Sequence, residues 1–246
     1  MTKSSKIRLD IALVDRQLVE SRQKAQALIL AGKVMVDGQP ADKPGRLVVA
    51  ENDLQVEQPL PYVSRGGIKL AAALDAFEID VADRVCLDVG TSTGGFVDCL
   101  LQRGARRIHA VDTGAGQIHW KLRTDRRVVL HERTNARYLR FEVIGEGVEI
   151  LTCDVSFISV TLLLPALAPL LEKDGHWVTL VKPQFEVGRD LVGAGGIIRE
   201  PDLHEAAWRK VAEEFERLGF HVAVIDSPIR GAEGNREFLL HAQREQ

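Results

Sequence analysis

The sequence has little of what marks a metalloprotein, a secreted protein or a membrane protein. Its 246 residues include three cysteines, Cys86, Cys99 and Cys153. Their separations match no metal-ligand pattern, so they read as small buried apolar side chains in a reducing compartment. The seven histidines form no H-E-x-x-H or comparable pair, and no metal is expected. Met1 to Asp10 is polar and basic and lacks the apolar stretch of a signal peptide. The longest apolar run, Ile158 to Leu171, is broken by Thr161, Pro165 and Pro169 and falls short of the ~20 residues that cross a bilayer. No membrane association is expected, and a soluble, cytoplasmic protein is. Global positive charge is also absent: the net charge is −3, so nucleic-acid binding must come from a local patch.

What is present is organised around Val85 to Phe96, V-C-L-D-V-G-T-S-T-G-G-F. Apolar residues at 85, 86, 87 and 89 suit a strand covered on both faces, followed by a glycine turn and a helix start. Gly90 permits a sharp turn, and Gly94 and Gly95 remove side chains where the helix must approach a ligand or the strand closely. The pattern D-x-G-x-x-x-G-G is not the G-x-G-x-x-G of a dinucleotide site. Asp112 ends the next apolar run, roughly the ~20 residues further on where a ribose-gripping carboxylate is expected. Asp88, just before the turn, would repel phosphate and favour a cationic ligand. S-adenosylmethionine carries an ammonium and a sulfonium and no phosphate. The bland alternative is a plain βαβ turn with a structural Asp.

Hydrophobic residues make up 45% of the chain, enough for one large or two smaller cores. Before the glycine turn, Ile7 to Leu18 outlines an amphipathic helix. Ser21 caps a second that stops at Gly32, Lys33 to Gly38 makes a strand closed by an Asp-Gly turn, and Asp53 to Val56 makes a further strand. Met1 to Arg46 holds nine Lys or Arg against five Asp or Glu, a local charge of +4. The runs R-L-D-x-x-L (Arg8 to Leu13), S-R-x-x-A-x-x-L-I-x-x-G-x-V-x-V-D-G (Ser21 to Gly38) and K-P (Lys43-Pro44) resemble the S4 RNA-binding domain. That resemblance implies phosphate contacts by Arg8, Arg22, Lys24 and Lys33, which position without reading bases. An ordinary solvated helix face is the alternative.

Pro59-Leu60-Pro61-Tyr62 is a stiff junction, which gives domains of 1–60 and 61–246. Ser64-Arg65-Gly66-Gly67-Ile68-Lys69-Leu70 then leads into a helix. Its first turn contains Lys69, an unfavourable place for a cation beside the positive end of the dipole, and Arg65 is a further candidate RNA contact. From the glycine turn onward, strands near 85–89, 106–112, 127–131, 148–155, 175–182, 220–226 and 236–242 alternate with helices near 115–123, 158–171 and 202–218. This alternation argues for a doubly wound α/β fold. The last two strands leave no room for a crossover helix, so they should pair as a hairpin and make the seven-stranded sheet mixed but mostly parallel. That end matches a class I, Rossmann-like methyltransferase.

In such sheets ligands bind beyond the carboxyl ends of the strands. Asp88, Asp112, Asp154 and Lys182 each terminate an apolar run, and Glu237 opens the final strand beside Lys182. Lys69, Asp154, Lys182 and Glu237 are therefore expected to converge. A ribose hydroxyl is a poor nucleophile until its proton is held or removed. Lys182 would hold or accept that proton, Asp154 and Glu237 would orient the two amines, and Lys69 would add a second positive charge that favours the neutral amine. Four surface salt-bridge partners are the alternative.

The ordered motifs S-R-G-G-x-K-L, L-D-V-G-T-S-T-G-G-F, V-D-T-G-x-G-Q-I-x-W-K-L-R, T-N-A-R, D-V-S-F-I-S-V, V-K-P-Q-F-E-V-G and G-N-R-E-F resemble the TlyA, or haemolysin A, family. That family joins an S4 domain to an FtsJ-like methyltransferase domain. The resemblance implies S-adenosylmethionine as cofactor and 2′-O-methylation of cytidine in ribosomal RNA, with a ribosomal subunit as partner. It also implies a K-D-K-E tetrad at Lys69, Asp154, Lys182 and Glu237, with cofactor contacts at Gly90, Ser92, Gly94, Gly95, Asp112 and Asp154. Gly67 and Thr113 depart from the family's usual Ala and aliphatic residue. The chain ends at Gln246, soon after the last strand, as in shorter members that act on large-subunit RNA. Three rival readings are a ribosome-binding protein without catalysis, a membrane-active haemolysin and a pseudouridine synthase, and the last leaves the glycine turn without a use.

Overall fold

In the computed structural model residues 6–57, 60–231 and 234–244 are described, and the chain falls into two units, Met1–Pro59 and Leu60–Gln246. Pro59, the first proline of the expected stiff junction, lies outside the described residues.

The first unit contains β1 (Ile7–Arg8), α1 (Leu9–Asp15), α2 (Arg22–Leu30), β2 (Val34–Val36), β3 (Gln39–Pro40), β4 (Leu47–Val48) and β5 (Leu54–Val56). The first helix begins two residues later than its periodicity predicts, because Ile7 and Arg8 pair antiparallel with Val48 and Leu47. The Ser21 hydroxyl accepts from the Lys24 amide at 3.3 Å and caps α2. Asp37 and Gly38 both take positive φ, 51° and 73°, the turn that suits a tight hairpin between β2 and β3. Leu9, Leu13, Ala25, Ile29, Val34, Val36 and Leu54 form its core.

The second unit runs α3 (Gly66–Ala76), β6 (Val85–Val89), α4 (Gly95–Gln102), β7 (Arg107–Val111), α5 (Trp120–Arg123), β8 (Val128–His131), α6 (Phe141–Ile144), β9 (Val148–Cys153), α7 (Leu164–Leu167), β10 (Leu171–Val181), α8 (Pro183–Glu186), α9 (Pro201–Arg217), β11 (Phe220–Asp226) and β12 (Phe238–Arg244). Its seven strands lie in the order β11-β12-β10-β9-β6-β7-β8. Strands β6 to β10 pair in parallel, while β12 runs against both β10 and β11. Both faces are covered by apolar clusters, one around Leu87, Leu151, Trp177 and Phe215 and the other around Leu70, Leu100, Ile108 and Val178. Such burial explains why β6 and β9 read as continuous apolar runs. All three cysteines are free and buried.

The single helix expected over 158–171 is instead a 3₁₀ turn at Val160–Leu162, the short α7, and another 3₁₀ turn at Ala168–Leu170. Pro165 and Pro169 each lack an amide donor and crowd the preceding turn, so the run cannot propagate as one helix. The helix near 115–123 shrinks to α5, since Gly114 and Gly116 precede it in a loop and Gly116 has φ +74°. Among the described residues no helix is long and apolar enough to cross a membrane.

Candidate active site at the rim of the sheet

Gly90 ends β6 with φ +86°, and a Cβ there would collide with the Asp154 carbonyl oxygen. Only glycine lets the ends of β6 and β9 come this close. Beside them opens a cavity of about 490 Å³ lined by Val89, Gly90, Ser92, Val111, Asp112, Thr113, Gln117, Asn135, Asp154, Val155, Phe157, Ile158 and Leu163, among others. The Asp112 carboxylate is fixed at its mouth, its two oxygens accepting at 2.7 Å from the amides of Ser92 and Gly114. Each oxygen keeps a lone pair for a further donor. Thr113, one of the two departures from the family pattern, lines the same cavity.

Of the expected cofactor residues, Asp88 and Gly94 line neither this cavity nor its neighbour, and Gly95 lines only the neighbour. Asp88 is only 1% exposed and lines neither this cavity nor the next. It accepts from the Thr152 hydroxyl at 2.7 Å, and its other carboxyl oxygen has no partner among the described residues. Burial pushes its carboxyl up to about 7, with Asp154 and Asp112 adding to the rise. Repulsion of phosphate therefore falls to Asp112 and Asp154, which do line the cavity. Gly94, with φ +94°, makes room for Leu122 and faces neither cavity. Gly95 lies close to Ser64, Gly66 and Gly67, so the approach it permits is between the starts of α4 and α3. The side chain missing at Gly67, the other departure, leaves the space that the Tyr62 ring fills.

A second cavity of about 170 Å³ shares Gly90, Ser92, Asp154 and Ser156 with the first and is lined further by Ser64, Lys69, Thr93, Gly95, Phe96 and Lys182, among others. Here the structure brings Lys69, Asp154, Lys182 and Glu237 together as two pairs. Lys182 follows β10 and sits 2.6 Å from Asp154 Oδ1; it also donates to Ser156 Oγ at 2.9 Å. Because β12 is antiparallel, with Phe238 opposite Val181, Glu237 reaches the same rim. Lys69 Nζ donates to Glu237 Oε2, and both residues are buried, 8% and 3% exposed. Gly231 has no side chain to occupy the volume of the Glu237 carboxylate. The cation misplaced against the α3 dipole is thus held by a buried acid.

The expected RNA-binding residues are more engaged than their number implied. Arg8 and Arg22 both donate to Asp10, at 3.0 and 2.9 Å, and Gln26 adds a third donor at 2.8 Å. Lys33 pairs with Glu57 at 2.7 Å, and Arg65 donates to the Arg230 carbonyl. Lys24 is exposed and makes no ion pair among the described residues. Sequence reasoning passed over other cations near the first cavity. Arg133, Arg137 and Arg140 are exposed and form no ion pair with any described residue, while Trp120 and Tyr138 are each 72% exposed and Phe157 90%. The signal was available: Lys121 to Arg140 holds seven Lys or Arg against Asp125 and Glu132.

Histidines pair with one another, His109 with His131 at 3.1 Å and His176 with His241 at 3.0 Å. Among the described residues no group of three His, Cys, Asp or Glu could hold a metal ion.

The geometry can be set beside known proteins. Residues 62–244 match the model of the FtsJ-like methyltransferase family, and residues 7–54 match that of the S4 domain. The 16S/23S rRNA (cytidine-2′-O)-methyltransferase TlyA of Mycobacterium tuberculosis (strain H37Rv) is 49% identical over 95% of this chain and 88% of its own length. Hemolysin A of Brachyspira hyodysenteriae is 42% identical over 96% of this chain and 99% of its own. A solved structure named as a hemolysin from Streptococcus thermophilus superposes with a TM-score of 0.75 at 43% identity, covering 98% of this chain and 89% of that one.

Proposed function

Because this chain belongs to the FtsJ-like methyltransferase family, in the TlyA or hemolysin A group that carries an S4 domain, we propose that it transfers a methyl group from S-adenosylmethionine to the 2′-hydroxyl of a cytidine in ribosomal RNA. Large-subunit RNA, alone or together with small-subunit RNA, is the expected target, presented by a ribosomal subunit in the cytoplasm. Residues 1–60 serve recognition and 61–246 catalysis.

The observation that carries this reading is the pair of cavities joined at Gly90, Ser92, Asp154 and Ser156. The larger, at about 490 Å³, lies in the ~300–1,000 Å³ range of small-molecule sites. Its chemistry fits the cofactor: Asp112 has spare lone pairs for a ribose diol, Val111, Val155, Ile158 and Leu163 offer apolar walls, and two carboxylates favour a ligand with cationic groups and no phosphate. When bound, S-adenosylmethionine supplies a methyl carbon made electrophilic by its sulfonium.

The chain's own part is to place and deprotonate the hydroxyl. Lys182 Nζ is ion-paired with Asp154 Oδ1 at 2.6 Å and donates to Ser156 Oγ at 2.9 Å, and its side chain lines the smaller cavity. From there the ammonium donates to the ribose oxygen and orients it; to take up the hydroxyl proton it must first release one of its own, so that a lone pair faces the cavity. Asp154 fixes that amine, while Lys69, paired with Glu237, presents a neutralised ammonium to the same wall. Proton handling of this kind is worth ~10²–10⁴-fold, and alignment supplies much of the rest.

Tritiated S-adenosylmethionine incubated with separated ribosomal subunits, followed by primer extension at low dNTP, tests the reading. The expected result is one or a few cytidine stops on the large-subunit RNA, alone or with a stop on the small-subunit RNA, lost in Lys182→Ala while S-adenosylhomocysteine still binds by calorimetry. Full activity in that variant would remove Lys182 from the mechanism. No label in RNA and no heat of cofactor binding would leave a ribosome-binding protein without catalysis.

A further inference from the structure

The motif that supplies Lys182 also contains a glutamate with no part in the scheme above. Glu186 closes α8, one helical turn after Lys182, and its side chain is 3% exposed. Burial raises its carboxyl above the usual range, against the opposing pull of Ser159, Val160 and Lys210. Burying a carboxylate is costly unless its oxygens are satisfied. Here both are: Oε1 accepts from the Val160 amide at 2.8 Å and Oε2 from the Ser159 hydroxyl at 2.5 Å. Lys210 lies 3.8 Å from the carboxylate and donates to the Glu186 carbonyl at 2.7 Å.

What the carboxylate holds is the far end of one loop. Residues 154–159 leave β9 with the Asp154 amide donating to the Val89 carbonyl at 2.9 Å, and they end at the 3₁₀ turn whose first donors Glu186 receives. Between these anchors the loop delivers Asp154 and Ser156 to Lys182. It delivers Val155 and Ile158 to the wall of the larger cavity. It also holds Phe157 at φ +66°, a conformation that costs about 1–3 kcal/mol in a non-glycine residue and persists only where its surroundings impose it.

We propose that Glu186 is a positioning residue: through Ser159 and Val160 it sets the 154–159 loop against α8, and so aims Lys182 and shapes the cofactor wall together. The one-turn helix α8 makes the link stiff, since Lys182 and Glu186 stand at its two ends. Loss of the clamp lets the acceptors of Lys182 drift while the amine stays fixed to its strand. The inference rests on the proposed function for its activity readout, and on cofactor binding independently of it.

The test compares Glu186→Gln, Ser159→Ala and the double variant in the full-length protein. Gln keeps the volume but removes the charge and turns one acceptor into a donor, so the Ser159 hydroxyl must reverse its bond and donate to Thr161 instead, leaving two neutral hydrogen bonds in place of two charge-assisted ones. The expected result for Glu186→Gln, assayed well below its melting temperature, is a kcat for RNA methylation down by at least about tenfold and a weaker Kd for S-adenosylhomocysteine. Ser159→Ala should shift both in the same direction by less, and the double variant should be no worse than Glu186→Gln, as for two ends of one clamp. A carboxylate that only stabilises the fold would lower the melting temperature and leave kcat and Kd at wild-type values; that result overturns the proposal. If Glu186→Gln fails to fold, wild-type kcat and Kd in Ser159→Ala overturn it equally. Wild-type protein that binds S-adenosylhomocysteine but methylates no RNA defeats the proposed function alone, and the Kd comparison still decides the role of Glu186. Wild-type protein that binds no S-adenosylhomocysteine overturns both.

Discussion

Each unit of the molecule buries an aspartate, and the two meet opposite fates. Asp10 in the first unit is fully buried and accepts from Arg8, Arg22 and Gln26; the Arg8 hydrogen bond holds its carboxyl far below the usual range. Asp88 in the second unit is as deeply buried, has one side-chain donor at 2.7 Å and sits near two other acids, so its carboxyl is pushed up to about 7. Burial alone therefore does not decide the charge of a carboxylate. The donors that folding gathers around it do, and a sequence shows the acid without its donors.

The pairs at the rim belong with the first case, acids matched to cations, and breaking one should have the largest effect. Glu237→Gln removes the charge that holds Lys69; methylation of ribosomal subunits is expected to fall by about 10²-fold or more, with S-adenosylhomocysteine affinity within about twofold of wild type. Next in size is Asp10→Asn. Losing a charged acceptor shared by three donors should lower the stability of the first unit by about 2 kcal/mol, read in the full chain as faster amide exchange at Leu13 and Ile29 with exchange at Leu87 and Leu151 unchanged. Equal acceleration in both units would show that Asp10 is not a local anchor.

The two aspartates should also respond to pH with opposite sign. Asp10 has a depressed folded pKa, so its stabilisation is present above the ordinary carboxylate value of ~3.9 and is lost as pH falls below it. Asp88 has a raised one, so the second unit binds a proton that the unfolded chain releases, and stability declines as pH rises from about 4 to about 7. Asp88→Asn should therefore raise the melting temperature by a few degrees at pH 8 and change it little at pH 4; a gain independent of pH would refute the account. The smallest effect is expected from Lys24→Ala. With no ion pair to lose, it should weaken RNA binding only modestly and reduce the slope of log K against log salt by about 1.

The strands themselves were legible because β6, β7, β9 and β10 are buried on both faces and show as apolar runs. The hairpin of β11 and β12 followed from the short gap between them. Asp154 and Lys182 were legible as polar residues that end such runs, Glu237 as the residue that opens the last strand, and Lys69 as a cation placed against a helix dipole. Less legible was anything set by packing across the sequence. Gly94 looks like a ligand-facing glycine, yet the side chain it makes room for, Leu122, comes from another segment, and Gly95 leaves room for Ser64 as well as lining the smaller cavity. The helix over 158–171 failed for a local reason, two prolines, whose cost was underestimated. The +4 charge of the first 46 residues overstated what is free to grip RNA, because Asp10 and Glu57 already occupy Arg8, Arg22 and Lys33.

Strand β12 lies between β10 and β11, although β11 precedes it in the chain. The sheet cannot be completed in the order in which the polypeptide is synthesised: β11 has no neighbour to bond until the later strand bridges it to β10. Glu237 arrives with that bridging strand, so the rim acquires its final acid only when the last gap in the sheet closes. A chain not yet synthesised as far as residue 237 therefore lacks the acid that pairs with Lys69 in the finished fold.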